Sequence, residues 1–197
     1  MSERDTRLWG LDKPLWICDN KVYDVTEFAH LHPGGSSWIE MTKGQDISAL
    51  FKTHHLDEEK ARKVLSEYYV GEAKVKHEPR FDFEETGHYA EIRKRILSKF
   101  SVKELQDSTS TDKVCLTYVI SWFTLLSLAS YLHSYILSIA CGLLMLGLYG
   151  IGHLYIHRKD QNNFLKSAYL LSGFSSREQK IMHVFSHHPY VNTALDY

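Results

Sequence analysis

The feature that most constrains the fold is a 39-residue stretch, Val114–Gly152, that contains no Asp, Glu, Lys or Arg. A membrane-spanning helix needs about 20 apolar residues, so this stretch is long enough for two spans joined by a tight turn. The polar pair His133 and Ser134 marks the turn, which predicts helices over about residues 114–132 and 135–151. A buried hairpin in a soluble protein is the alternative, but charge-free stretches of this length are typical of membrane segments.

Basic residues lie on both sides of this stretch and are absent from its turn. They are Arg93, Lys94, Arg95, Lys99, Lys103 and Lys113 before it, and Arg158, Lys159, Lys166, Arg177 and Lys180 after it. Because short cytoplasmic segments carry the excess of Lys and Arg, we expect both ends of the hairpin to face the cytosol, with the turn on the far side.

Charge and cysteine content exclude several classes of function. The net charge is −1, so the chain lacks the overall positive charge of a nucleic-acid-binding protein. The cysteines at positions 18, 115 and 141 form no CxxC pair, which argues against a zinc ribbon or a disulfide framework and suits a reducing compartment. The first ten residues, "MSERDTRLWG", are charged, so we expect no secretory signal.

Residues 8–75 read as a compact soluble domain, and residues 76–113 as a charged linker. "LWICDNKVYDVTEF" alternates apolar and polar residues around Asp19-Asn20, which predicts a hairpin. "DISALF" and "DEEKARKVLSEYY" have helical spacing, with Asp46 and Asp57 as candidate caps. In the linker, residues 84–100 have an apolar stripe at helical spacing, which suits either a membrane surface or packing on the preceding domain.

The segment "KVYDVTEFAHLHPGGSSWIE" resembles the haem-binding segment of cytochrome b5 domains, and "YYVGEA" resembles their closing strand. The resemblance implies an α+β haem domain in which two histidines bind the iron of haem b. The histidine of HPGG is His32. In desaturase-fused members of the family the second histidine follows a phenylalanine by four positions, which favours His55 after Phe51 and leaves His54 as the alternative.

Two axial imidazoles leave no position for oxygen, so such a haem passes single electrons. Because Gly34 and Gly35 have no side chains, we expect them to let the backbone approach the porphyrin. The apolar candidates for the pocket wall are Val25, Phe28, Ile39, Leu50 and Phe51. The resemblance also implies NADH-cytochrome b5 reductase as the electron donor. Acidic residues suited to docking a basic donor, or simply solvated at helix starts, are Asp46, Asp57, Glu58 and Glu59.

Histidines cluster again after the charge-free stretch. His153 and His157 are four residues apart, His183 and His187 repeat that spacing, and His188 adds a fifth imidazole. Residues at i and i+4 share one face of a helix. Five imidazoles on the cytosolic side favour iron or another divalent transition metal.

These clusters resemble the HxxxH and HxxHH boxes of membrane fatty acid desaturases and hydroxylases. The string "GHLYIHRKDQNNFLKSAYLLSGFSSREQKIMHVFSHHPYVNT" is most similar to the insect-type cytochrome b5-related proteins, a b5-fused desaturase-like group. The resemblance implies a multi-pass protein of the endoplasmic reticulum membrane, with residues 114–197 forming part of an α-helical desaturase-type domain. It also implies a non-haem di-iron site that oxidises a fatty acyl C–H bond with electrons from the b5 domain.

The family has a third box, (H/Q)xxHH, after a second pair of spanning helices, and this sequence has none. We therefore expect a chain cut short before that box, with an incomplete di-iron site that does not complete the reaction alone. Three functions stay open: part of a desaturase or hydroxylase, a membrane-anchored electron carrier, and a non-enzymatic haem- or lipid-binding protein. The sequence indicates neither the acyl substrate and position of attack nor the catalytic residues.

Overall fold

The computed structural model describes residues 13–76, 83–159, 163–193 and 196. The chain divides into two compact units, Met1–Gln106 and Asp107–Tyr197. The predicted start of the first domain, at residues 8–12, lies outside the described residues, as does part of the predicted linker, at residues 77–82.

A small antiparallel sheet opens the first unit. Its strands are β1 (Trp16–Cys18), β2 (Lys21–Tyr23) and β3 (Tyr69–Glu72), in the order β1-β2-β3. Asp19 and Asn20 connect β1 to β2 with φ values of 50° and 61°. A two-residue hairpin turn with both φ values positive is the turn that matches strand twist, and Asp and Asn tolerate this conformation better than most residues. The hairpin therefore lies where the alternation predicted it.

Three short helices pack on this sheet. They are α1 (Ser36–Glu40), α2 (Ser48–His54) and α3 (Glu58–Ser66), preceded by a 3₁₀ turn at Ala29–Leu31. Asp57 caps α3 by accepting a hydrogen bond from the Lys60 backbone N–H at 3.1 Å. The buried core contains Trp16, Cys18, Tyr23, Val25, Phe51 and Leu65, with Phe28, Ile39, Ile47, Ala61 and Tyr68 packed against it. The small sheet with helices agrees with the α+β haem domain that the resemblance implies.

Helices α4 (His88–Lys99) and α5 (Val102–Gln106) complete the first unit. The Tyr89 hydroxyl donates to the carbonyl of Lys52 at 3.1 Å, so α4 packs on the end of α2. A neighbouring strip of the same helix, formed by Ile92 and Ile96, is exposed. Of the two locations left open for this segment, packing on the preceding domain accounts for the more buried side of α4.

The second unit begins with a helical hairpin formed by α6 (Thr109–Tyr131) and α7 (Tyr135–Ile156). Both helices are long and apolar enough to span a membrane. In the turn between them His133 has a φ of 46°, and the Ser134 hydroxyl accepts a hydrogen bond from the Leu137 backbone N–H. The Trp122 indole donates to the carbonyl of Cys141 at 3.0 Å, which ties the two helices together.

Both helices extend beyond the predicted spans at their polar ends. Asp112, in the first turn of α6, accepts a hydrogen bond from the Tyr155 hydroxyl. It also forms an ion pair with Arg158, at 3.0 Å. These contacts join the two polar ends of the hairpin, so the helical geometry continues past the apolar residues. Consequently His153 lies within α7, two residues beyond the predicted end of that helix at residue 151.

Short helical segments follow the hairpin. They are α8 (Asn163–Lys166), α9 (Ala168–Leu171), α10 (Ser176–Gln179), a π-helix (Lys180–His187) and α11 (His188–Tyr190). Leu165, Tyr169, Val184 and Phe185 are almost completely buried in this part of the unit. The segment therefore folds back on itself and on α7, which places the later histidines near the end of the hairpin.

Two candidate histidine sites

The first candidate site begins at the His-Pro-Gly-Gly turn. His32 Nδ1 lies 3.0 Å from the carbonyl oxygen of Gly35, which has a φ of 104°. Such a φ strains any residue with a side chain. At Gly34 a Cβ atom would lie 2.8 Å from Cε1 of His32, which is closer than real Cβ contacts. The two glycines thus shape the turn and leave room for the imidazole. Their expected role next to a porphyrin is a prediction that this geometry does not address.

The second histidine of this site is His55, at the C-terminal end of α2. Its Nδ1 lies 2.8 Å from the Phe51 carbonyl, and the centroid of its ring lies 6.1 Å from that of His32. The neighbouring His54 ring instead packs on Trp38, with centroids 4.8 Å apart. Residues next to each other in a helical turn point about 100° apart. The structure therefore brings His55, rather than His54, opposite His32.

The geometry of His32 and His55 fits a metal bound between them. A carbonyl oxygen only accepts hydrogen bonds, so Nδ1 of each ring carries the proton and Nε2 has a free lone pair. Two imidazoles on opposite sides of one ion, each at a metal–nitrogen distance of about 2 Å, have ring centroids about 6 Å apart. The observed 6.1 Å agrees with this value. These two residues thus fit the axial positions of a haem.

Two of the apolar residues expected to line the haem pocket, Phe28 and Phe51, contact these rings. Val25, Leu50 and Phe51 are buried, and the Phe51 ring packs on His55 with centroids 4.4 Å apart. Phe28 contacts His32 edge-on, and Ile39 packs against the core of the unit. Burial is the main cause that lowers the pKa of His55 from its ordinary value. A lowered pKa favours the neutral imidazole, which is the form that binds metals.

Three of the four acidic residues considered for donor docking have local partners. Asp46 accepts hydrogen bonds from the backbone N–H and hydroxyl of Ser48, and Asp57 caps α3. Glu58 forms an ion pair with Arg62 at 2.8 Å. These contacts favour the helix-start interpretation for the three residues. Donor docking at this surface stays a prediction.

The second candidate site lies in the second unit, where four histidines converge. His153, His157 and His183 each offer one ligand atom, and these three atoms lie within 4.8 Å of one another. The Nε2 atoms of His153 and His157 are 3.3 Å apart, and those of His183 and His188 are 3.2 Å apart. Donors that share one ion at about 2 Å are separated by about 3 Å. The spacing therefore suits metal ligands gathered around a common point.

The π-helix determines which histidines meet. A π-helix has hydrogen bonds from i to i+5, and the His188 backbone N–H donates to the His183 carbonyl. The i, i+4 spacing predicts that His183 pairs with His187, whereas in the structure the closest Nε2 atom to that of His183 within this segment is that of His188, at 3.2 Å. His187 lies beside this pair, with its Nδ1 2.9 Å from a carboxylate oxygen of Asp196.

Tyr169 and Asp196 orient two of the histidines and were not identified from the sequence. The Tyr169 hydroxyl oxygen lies 2.9 Å from Nδ1 of His153, just as Asp196 holds Nδ1 of His187. Burial raises the pKa of Tyr169, so it stays a neutral hydroxyl, which can accept the Nδ1–H of His153. The tautomer with its proton on Nδ1 leaves Nε2 for a metal. Hydrogen bonds of this kind fix the ring and the tautomer of metal-binding histidines.

Close packing on α7 allows Tyr169 to reach His153. A Cβ atom at Gly152 would lie 2.5 Å from Cδ2 of Tyr169, so a glycine is required there for the tyrosine to approach.

Burial also lowers the pKa values of His183 and His188, with the neighbouring histidines acting in the same direction. Both effects favour neutral imidazoles that are ready to bind a metal.

Comparison with known proteins gives matches for both units. Residues 3–74 match the cytochrome b5-like haem/steroid binding domain. A cytochrome b5-related protein of Drosophila melanogaster is 30% identical over 183 residues, which are 92% of this chain and 41% of that protein. A cytochrome b5-related protein of Drosophila virilis is 33% identical over 98 residues, which are 50% of this chain and 68% of that protein.

A fatty acid desaturase 2-like protein of Mus musculus is 26% identical over 188 residues, which are 87% of this chain and 38% of that protein. The chain thus spans about two fifths of the length of this relative and of the one from Drosophila melanogaster. The match to the haem domain ends before α4, whereas the similarity to these two relatives covers both units.

Proposed function

Because this chain belongs to the family of cytochrome b5-related proteins, we propose that it passes electrons from its haem domain to lipid oxidation at a membrane. The first unit is a cytochrome b5 haem-binding domain. The observation that carries the proposal is the opposed pair His32 and His55, whose ring centroids are 6.1 Å apart. When bound, the haem supplies a one-electron redox centre.

The residues of the first unit act on that centre in three ways. The carbonyls of Gly35 and Phe51 hold the Nδ1 protons of His32 and His55, so both Nε2 lone pairs point inward. With haem bound, His32 and His55 would both be ligands of its iron, which would leave no position there for oxygen. Phe51, which is buried and packs on His55, would help to keep water away from the bound group. This arrangement suits electron transfer rather than oxygen activation at the haem.

In the second unit we assign His153, His157, His183 and His188 as ligands of non-haem iron, with His187 beside them. Imidazole ligands suit iron, and bound non-haem iron supplies oxygen activation. The similarity to a fatty acid desaturase 2-like protein supports an acyl chain as the substrate class. Tyr169 and Asp196 keep the ligand rings oriented. Whether the product is a desaturated or a hydroxylated chain does not follow from these residues.

The setting of this function is part of the same proposal. Helices α6 and α7 span the endoplasmic reticulum membrane as a hairpin, with both ends in the cytosol. Basic residues at both ends of the hairpin support that orientation. The electron donor is NADH-cytochrome b5 reductase, because a b5 domain has no nicotinamide site of its own.

A membrane-anchored electron carrier is the second candidate function. It is favoured by the small size of the histidine cluster. The three grouped ligand atoms lie within 4.8 Å of one another, which suits one metal ion rather than two. The di-iron site implied by the desaturase resemblance needs ligands for two ions. In the carrier, the first unit works as proposed and its electrons leave to another protein.

Iron analysis of the purified chain separates the two functions. The oxidative function predicts iron in excess of haem, and this excess is lost in His183→Ala but kept in the control His133→Ala, which changes a histidine in the hairpin turn. An iron content equal to the haem content in the unsubstituted protein would reject the oxidative function and support the electron-carrier function. Lipid profiles of cells that express the unsubstituted chain or His183→Ala then test whether acyl chains are altered.

A further inference from the structure

Arg93, on α4, binds three backbone carbonyls at the end of the helix that carries His55. Its Nη1 donates to Lys52 at 3.0 Å, and its Nη2 donates to His55 and to Leu56, each at 2.6 Å. The Tyr89 hydroxyl binds the same Lys52 carbonyl. These contacts make Arg93 a bridge between α4 and the backbone of the proposed haem ligand.

The carbonyls bound by Arg93 need such a partner. The last carbonyls of a helix have no donor within it and carry the negative end of the helix dipole. Helix α2 ends at His54, so the Lys52 carbonyl belongs to its last turn and the His55 carbonyl follows directly. The planar guanidinium offers several donors in a fixed geometry, which lets one side chain hold Lys52, His55 and Leu56 together.

Arg93 lies outside the part of the chain that matches the haem domain, because that match ends at residue 74. The contact is therefore an addition by the segment that leads to the membrane helices. It brings a permanent positive charge to the backbone of His55. Oxidised haem carries one positive charge more than reduced haem, so a nearby cation favours the reduced state.

We propose that Arg93 is a positioning residue for His55 that slows haem release and raises the reduction potential of the haem. This inference rests on the proposed haem ligation by His32 and His55. The hydrogen bonds fix the backbone from which the imidazole projects, which retains the haem. The charge acts separately on the redox equilibrium.

Three variants of the full chain, purified in detergent, test this role. Arg93→Gln removes the charge, whereas Arg93→Lys keeps the charge without the planar fork. Arg95→Gln is the matched control, since Arg95 lies on the same helix in an exposed ion pair with Glu91. The readouts are the absorbance spectrum, the midpoint potential from redox titration, and the rate of haem transfer to excess apomyoglobin.

We expect Arg93→Gln to lower the ratio of reduced to oxidised haem about threefold at a fixed potential, which is about 28 mV at 59 mV per tenfold change. Its haem should be released about threefold faster. Arg93→Lys should have the same midpoint potential as the unsubstituted protein but release haem faster. Arg95→Gln should change neither the potential nor the release rate.

Equal potentials and release rates in Arg93→Gln and Arg95→Gln would overturn the inference while the proposed function stands. If Arg93→Gln does not retain haem, the test rests on Arg93→Lys. A haem release rate in Arg93→Lys equal to that of the unsubstituted protein would also overturn the inference. A spectrum without bis-histidine haem in the unsubstituted protein would reject both the proposed function and this inference.

Discussion

The Nε2 atoms of His183 and His188 lie 3.2 Å apart because a π-helix carries them. In an α-helix, residues five apart point in directions about 140° apart. The wider π turn brings both rings to the same side. π-Helical turns are rare and are frequently found at functional sites. The local geometry thus supports a metal-binding role for this segment.

The haem ligands can be tested by single substitutions. We expect His32→Ala and His55→Ala to abolish the low-spin bis-histidine spectrum, because each removes one axial ligand. His54→Ala should keep it, since the His54 ring packs on Trp38. Absorbance spectra of the oxidised and reduced proteins check this. A normal spectrum in His55→Ala together with a lost spectrum in His54→Ala would reverse the assignment.

Glycine at position 34 should strengthen haem binding. An alanine Cβ there would lie 2.8 Å from the His32 ring and would displace it. We expect Gly34→Ala to bind haem at least about tenfold more weakly, as for a loss of about 1.4 kcal/mol. The control is Gly71→Ala in β3, where a Cβ meets nothing within 4 Å. Haem titration of both haem-free proteins measures the difference, and equal affinities would show that the ring is not displaced.

The Tyr169 hydroxyl should strengthen metal binding at the second site. Loss of a hydrogen bond to a metal-binding histidine costs about 10–100-fold in metal affinity, so we expect this decrease for Tyr169→Phe. Tyr131→Phe, which changes an exposed tyrosine, is the control. Titration with Co²⁺, followed by its visible absorption, gives both affinities. Equal affinities in the two variants would argue against the orienting role of Tyr169.

The stability of the haem-free protein should decrease at acidic pH through His55. Burial lowers the pKa of His55 in the folded state, while the unfolded chain binds a proton at the ordinary pKa near 6.5. Below about pH 6.5 the unfolded state therefore binds more protons, and the free energy of unfolding falls until the pH reaches the lowered pKa of the folded state.

Urea unfolding at pH 7.5 and 5.5, followed by tryptophan fluorescence, measures this effect. We expect the difference between the two pH values to be smaller in His55→Gln than in the unsubstituted protein. The control His30→Gln changes an exposed histidine and should keep the full difference. An unchanged difference in His55→Gln would assign the pH dependence to other groups.

Much of the first unit could be predicted from the sequence, because its signals are local. The positive φ values of Asp19 and Asn20 follow from their residue types at a hairpin turn. The haem domain expected from "HPGG" and its surroundings is confirmed by the match over residues 3–74. The contact of Gly34 with the His32 ring is an additional constraint that the sequence did not indicate, and its expected role next to the porphyrin stays a prediction.

The rest depends on contacts between distant segments, which periodicity does not report. The sequence spacing of His183 and His187 suits an α-helix, and only the tertiary fold selects the π geometry. Tyr169 reaches His153 across 16 positions, and Arg93 reaches His55 across 38. Neither tyrosine nor arginine carries a local signature for such a partner.

His153 belongs to the same continuous helix as the apolar span, since α7 extends over Tyr135–Ile156. No loop separates His153 from the apolar turns of this helix. Because the segments that follow the hairpin pack against α7, a tilt of this helix in a thinner or thicker bilayer would carry Tyr169 and the π-helix along with His153. The proposed metal site would therefore keep its geometry in bilayers of different thickness, and its affinity for Co²⁺ in vesicles of graded acyl length should stay constant.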